Sequence, residues 1–267
     1  TLTLFAYVVT AFVVHPPWGL VLRETAVPHF SIDRDFVLSI VAILGTTISP
    51  YLFFWQATQE AEDRAHHPRR SLHRALAIAA DDTRAGMLTS NFIMYFIILT
   101  TGATLRASGG MHIETAAEAA KALQPLAGRG AGLLFAIGIV GTGLIGVPVL
   151  AGSAAYAVAE ASRWRRGMDE TLRTAPQFYA LIIVATGLGV ALDFVHLNAI
   201  RLLFWSAVIN GLLAPPLIII ILMIGNDRRV MRSDTNGVAL NIGGAAAAII
   251  MTTAALALLW LWLTARG

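Results

Sequence analysis

Residues 36–63 read FVLSIVAILGTTISPYLFFWQATQEAED, and the first 22 of them carry no charge. That length crosses the roughly 30 Å hydrocarbon core of a bilayer as a helix. The middle of the span is poorly built for an unbroken one. Gly45, Thr46, Thr47, Ile48, Ser49 and Pro50 bring a glycine, a proline and three hydroxyls to about mid-depth. Pro50 has no N–H to give and its ring clashes with the carbonyl of residue 46, so the hydrogen-bond ladder is predicted to open between Thr46 and Tyr51. An opened backbone inside a membrane must be buried in protein or line a wet cavity. Secondary transporters place ions at such breaks; a plain proline kink without a ligand is the alternative.

The rest of the composition sets the class. The chain has 267 residues, 57% hydrophobic and 13% charged, with a mean hydropathy of +0.69. Several uncharged runs of about 20 residues make it an all-α polytopic membrane protein. A sequence pI near 9.7 raises the question of nucleic acid. The arginines sit in short loops between apolar runs, however, which is the orientation signal of membrane proteins, so a nucleic-acid partner is rejected. Absence of cysteine excludes a disulfide framework and thiolate metal sites. Thr1 opens directly into an apolar run, without the basic start of a signal peptide, and reads as a cut through a longer protein.

Residues 1–267 are expected to form a single transmembrane domain of about seven helices: 1–14 (partial), 36–57 (broken), 85–105, 130–159, 175–192, 202–225 and 238–265. Pro16 and Pro17 stop the first, and Asp33 and Asp35 sit where the positive dipole end of the next favours them. Gln59 to Arg84 reads as a charged loop, and 113–121 as a short surface helix with capping-box spacing at Thr115 and Glu118. Glycines between Gly138 and Gly146, with Pro148, are read as close-packing positions in the long run 130–159, a second unwinding being the lesser reading. Loops 58–86, 161–175 and 226–237 hold twelve Lys and Arg, and the remaining connectors and tail hold seven. The positive-inside rule places the first set in the cytoplasm.

The string Gly-Thr-Thr-Ile-Ser-Pro-Tyr at 45–51 resembles the sixth-helix signature of the NRAMP divalent-metal transporters, usually Gly-Ala-Thr-Val-Met-Pro-His. The longer run GTTISPYLFFWQ is similar to a divergent branch of that family, its magnesium-transporting relatives. The resemblance implies a leucine-transporter-type inverted-repeat fold, with the second repeat and an extra helix present and the first repeat largely missing. It implies transport of divalent metal cations, Mg2+ placed ahead of Mn2+ or Fe2+, through a mid-membrane site at the broken helix, with no enzymatic activity and no cofactor beyond the transported ion. The implied partners are that ion, the lipid bilayer and the missing N-terminal helices. The implied location is the bacterial inner membrane, as a multi-pass protein.

The resemblance also assigns residues. Family metal ligands on the sixth helix are a carbonyl, which falls on Thr46, and a methionine sulfur, which falls on Ser49. Exchanging a soft thioether for hydroxyl, carbonyl and water oxygens suits magnesium; a hydroxyl back-bonded within the helix is the alternative for Ser49. Two family histidines tied to proton handling fall on Tyr51 and Gln56, residue types that do not titrate near neutral pH. Asn210 is the strong amide in mid-span, although the family glutamine aligns nearer Ala207; bonding to a neighbouring helix is its other reading. Tyr51, Gln56 and Asn210 are therefore pathway or second-layer candidates. Glu60, Glu62 and Asp63 read as a solvated face. Two rival functions share these features: an amino-acid or organic-cation transporter of the same fold, and a non-transporting membrane subunit.

Overall fold

The computed structural model describes residues 5–27, 30–66, 71–107, 118, 129–194 and 198–264. The described residues form helices and their connections, without strands: α1 (Phe5–Val14), α2 (Trp18–Ala26), α3 (Arg34–Thr47), α4 (Pro50–His66), α5 (Leu72–Ala107), α6 (Arg129–Ala161), α7 (Pro176–Phe194), α8 (Ala199–Asn226), α9 (Arg228–Met231) and α10 (Val238–Thr264). Five stretches are long and apolar enough to cross a membrane: 34–66 taken together, 72–102, 136–161, 199–226 and 238–264. Pro176–Leu192 is a shorter apolar helix. The protein is an all-helical polytopic membrane protein.

Helices run further than hydropathy marks them. The segment expected as a charged loop over 59–84 is helical from Gln59 to His66 and again from Leu72. Alanine, glutamate and arginine are good helix formers whatever their polarity, so these helices continue beyond the apolar stretch. An Asp81–Arg84 ion pair at 3.1 Å, one turn apart, adds slightly to α5. The connector after α1 also contains a helix, α2, entered through Pro17. α6 runs unbroken through Pro148, and α8 through Pro215 and Pro216. The expected surface helix at 113–121 lies outside the described residues, apart from Glu118.

The chain divides into two compact units, 1–29 with 54–200, and 30–53 with 201–267. In the second, α3 begins on Asp33, whose carboxylate accepts the Asp35 N–H at 3.3 Å. Its inner face, Val41, Ala42 and Gly45, packs on Ala207 and Val208 of α8 and Leu258 of α10. Glycine permits that approach. A Cβ on Gly45 would strike the Ala207 carbonyl and the Gly211 amide, and one on Gly211 would strike the Val41 carbonyl. Backbone meets backbone here, as small residues allow between membrane helices. A neighbouring layer, Ala214 and Ile218 on α8 with Ala248 and Met251 on α10, takes in Leu44 and Ile48.

In the first unit, α6 and α7 pack through Ala155, Tyr156, Ala159, Ala175 and Phe178, with Trp55 of α4 against them. The rings form a chain: Trp55 lies 5.9 Å from Tyr156, which lies 4.8 Å from Phe178. α1 joins α5 through Phe12 and Phe96, 6.1 Å between centroids, and the buried Thr100 hydroxyl donates to the Tyr7 carbonyl at 3.3 Å.

Candidate functional site at the helix break

α3 ends at Thr47 and α4 begins at Pro50. Proline at the first position of a helix loses nothing there, because that N–H has no partner within the helix anyway. Upstream the loss is real. Ile48 N–H still reaches the Leu44 carbonyl at 2.8 Å, and the next backbone bond is the tight Leu52 N–H to Ser49 carbonyl, 3.0 Å. Among the described residues no backbone N–H reaches the carbonyls of Gly45 or Thr46. The negative end of the α3 dipole thus meets the positive end of α4 within two residues.

Ser49 occupies the gap and is 2% exposed. Its hydroxyl lies 2.9 Å from the Gly45 carbonyl and 3.1 Å from the Thr46 carbonyl, donating back into α3. A hydroxyl has one proton and two lone pairs. Donation inward therefore leaves the Ser49 oxygen able to accept, and each carbonyl retains acceptor capacity. The side chains of Thr46 and Thr47 turn back to the Ile43 carbonyl at 2.7 and 2.8 Å. Thr46 is exposed and its hydroxyl is taken up by Ile43, so the group the break leaves without a backbone donor is its carbonyl, met by the Ser49 hydroxyl.

The other candidates are placed as follows. Tyr51 stands in the first turn of α4, half-buried, with no hydrogen bond among the described residues. Gln56 is exposed and donates to the Thr83 hydroxyl of α5 at 2.7 Å, so its amide is already engaged. Asn210 is half-buried on α8, next to the Gly211 contact, and its amide makes no hydrogen bond among the described residues. Only Thr46 and Ser49 are joined directly. No cluster of three or more His, Asp or Glu is present among the described residues, so the donors at the break are backbone and hydroxyl oxygens.

A polar cluster in the C-terminal half of α4 goes beyond the sequence reading. Glu62 is half-buried rather than solvated, while Glu60 and Asp63 are exposed. The hydroxyl of Tyr156, a residue only 1% exposed, lies 3.0 Å from each Glu62 oxygen and donates to that carboxylate. It accepts from Met168 N–H at 3.0 Å and from Gln59 at 3.4 Å. The Met168 carbonyl in turn accepts from Tyr179 at 3.2 Å, so two tyrosines hold one residue of the 162–175 turn by both backbone groups. Hydrogen bonds to charged groups contribute about 1.5–3 kcal/mol. Tyr156→Phe is therefore expected to lower the melting temperature of detergent-purified protein clearly. Glu62→Gln, whose amide oxygen can still accept, should lower it less. Equal melting curves for Tyr156→Phe and the unsubstituted protein would show that the cluster contributes nothing.

Comparison with known proteins adds the relatives. The family described as Natural resistance-associated macrophage protein-like, Nramp, matches residues 1–261. A protein named divalent metal cation transporter MntH, from Erwinia tasmaniensis, is 30% identical over 141 residues, 52% of this chain and 33% of its own. Its counterpart from Caldanaerobacter subterraneus is 28% identical over 138 residues, 52% of this chain and 32% of its own. The one from Clostridium acetobutylicum is 23% identical over 231 residues, 85% of this chain and 50% of its own. The matched region thus spans half or less of each relative's length.

Proposed function

Because the chain belongs to the Nramp family, we propose that it forms the later part of a divalent metal cation transporter and carries one side of the ion site at its broken helix. The observation that supports this most is the gap at Ile48–Ser49, where an apolar span leaves the Gly45 and Thr46 carbonyls without backbone donors. The relatives are named for divalent metal transport. In this reading the Thr46 carbonyl and the Ser49 oxygen face the ion during transport, Asn210 and Tyr51 lie beside the path, and Gln56 positions α4 on α5. The remaining ligands come from the part of the relatives' length that this chain does not span. The chain then acts as one transmembrane domain of a leucine-transporter-type inverted repeat, in a bacterial inner membrane, with loops 58–86, 161–175 and 226–237 on the cytoplasmic side.

Magnesium is the proposed ion ahead of manganese or iron. Hydroxyl, carbonyl and water oxygens are hard ligands, and magnesium keeps several waters that a small serine leaves room for. The test is ion uptake into liposomes by the full-length protein, unsubstituted and as Ser49→Met. A thioether favours softer ions, so the ratio of manganese or cadmium uptake to magnesium uptake should rise about tenfold, equivalent to about 1.4 kcal/mol between ions. Unchanged ratios would remove Ser49 from the site. Absence of uptake of any divalent ion by the unsubstituted protein would leave the break as a kink in a non-transporting subunit, or turn attention to an amino-acid or organic-cation substrate.

A further inference from the structure

Between α8 and α10 lies an open cleft of about 590 Å³, walled by Ile219 and Met223 on one side and by Ala245, Ile249 and Thr253 on the other. The alanines and threonines of α10 make room for it opposite the larger side chains of α8. The Thr253 hydroxyl donates to its own helix at the Ile249 carbonyl, 2.8 Å away, and apart from Thr252 and the Asn226 end the other lining side chains are apolar. Its outer walls are bare, with Met223 and Ile249 exposed by 67% and 65%. One end is different. Asn226, which closes the cleft, exchanges two hydrogen bonds of 2.8 Å with Asn241, and Asn236 donates to Asn241 at 3.3 Å. This amide cluster fixes the spacing of α8 and α10 at the polar end. Just beyond Asn226, Arg228, Arg229 and Arg232 are all exposed, and none lies within ion-pair distance of a carboxylate among the described residues. Asp227 is engaged in capping α9, accepting the Arg229 N–H at 2.8 Å.

A mostly apolar slot along two spans, ending in an amide rim that is followed within six residues of Asn226 by three exposed arginines, has the charge and polarity order of a phospholipid. We propose that this cleft seats one anionic phospholipid, an acyl chain between α8 and α10 and its phosphate at Arg228, Arg229 and Arg232. Basic pockets between membrane helices hold acidic headgroups in this manner, and each basic residue near the surface strengthens binding about fivefold. The rim cluster sets the acyl slot in place before the lipid arrives, so little ordering cost falls on binding. Hydrocarbon lies against this face in any bilayer; what the arginines add is selection by charge. The inference stands independently of which ion crosses at the break.

The experiment uses the full-length protein in detergent and counts retained lipid by native mass spectrometry after incubation with phosphatidylglycerol or phosphatidylcholine. One phosphatidylglycerol should be retained per chain, and phosphatidylcholine at least tenfold less. Replacing all three arginines with glutamine should abolish the preference, while Ala245→Phe, which fills the slot, should reduce retention of both lipids. Inorganic phosphate at millimolar concentration should not displace the bound lipid, because it has no chain to seat. The arginine variant leaves the packed helix faces untouched, so it remains informative if Ala245→Phe does not fold. Equal retention of the two lipids would overturn the proposal, as would a preference that survives the arginine replacement. A cleft covered by another helix of the full-length protein would give that first, negative result.

Discussion

Gly45→Leu is expected to abolish folding of the full-length protein rather than to reduce its activity by degrees. A first methyl at this position already meets the Ala207 carbonyl and the Gly211 amide, both backbone atoms that cannot rotate away. Overpacking in a well-filled core costs typically about 1–3 kcal/mol and more where the neighbour cannot yield. Here the alternative is to separate α3 from α8, uncovering Val41, Ala42 and Val208, each no more than 6% exposed. Detergent-solubilised protein should lose its single size-exclusion peak, with Gly45→Ala intermediate between Gly45→Leu and the unsubstituted chain. Gly243 supplies the contrast, because a Cβ there meets nothing within 4 Å. Gly243→Ala should be neutral or stabilising by up to about 1 kcal/mol, since alanine is the better helix former. A monodisperse, transport-competent Gly45→Leu protein would mean that the α3–α8 approach is not part of the working fold.

The contrast between these glycines shows what sequence carries and what it does not. Proline's missing donor is a local property, so the interruption at Ile48–Ser49 follows from Pro50 and its weak helix-forming neighbours without knowledge of any partner. Gly45, by contrast, reads in sequence as one more poor helix former. Its use as the contact point for a second helix depends on Gly211, 166 positions later, and glycines with nothing near them look the same in sequence. Hydropathy marks the apolar part of a helix and is silent beyond it, which is why α4 and α5 extend through residues that read as a loop. Of the two readings of Ser49, the geometry shows the back-bonded hydroxyl. Its proton goes back to α3 while its lone pairs remain. Glu62 gave no signal at all, because its partner Tyr156 is 94 residues away and a carboxylate at a helix end is usually solvated.

Transport by the full-length protein is expected to proceed without stoichiometric proton movement. Coupling requires a group that binds and releases a proton within the cycle, and histidine is the side chain best suited to that near neutral pH. The positions that resemble the family's proton-handling histidines hold Tyr51 and Gln56. Gln56 is moreover committed, its amide donating to Thr83 at 2.7 Å, which ties it to α5 as a fixed hydrogen-bond donor. A doubly charged ion has another source of drive. A membrane potential of 100 mV contributes about 2.3 kcal/mol per charge, hence about 4.6 kcal/mol for a divalent cation. At about 1.4 kcal/mol per tenfold ratio, that sustains roughly a thousandfold accumulation with no second ion. The measurement loads liposomes with a pH-sensitive dye, clamps the potential with potassium and valinomycin, and adds the divalent ion outside. Metal entry should follow the clamped potential while the interior pH stays constant. Acidification in fixed proportion to metal entry would show coupling, and would place the proton-carrying groups outside Tyr51 and Gln56. Where the interior pH of the unsubstituted protein stays constant, Gln56→His is the informative variant: it restores a titratable side chain beside Thr83, and a proton signal appearing only in that variant would tie the missing coupling to this position.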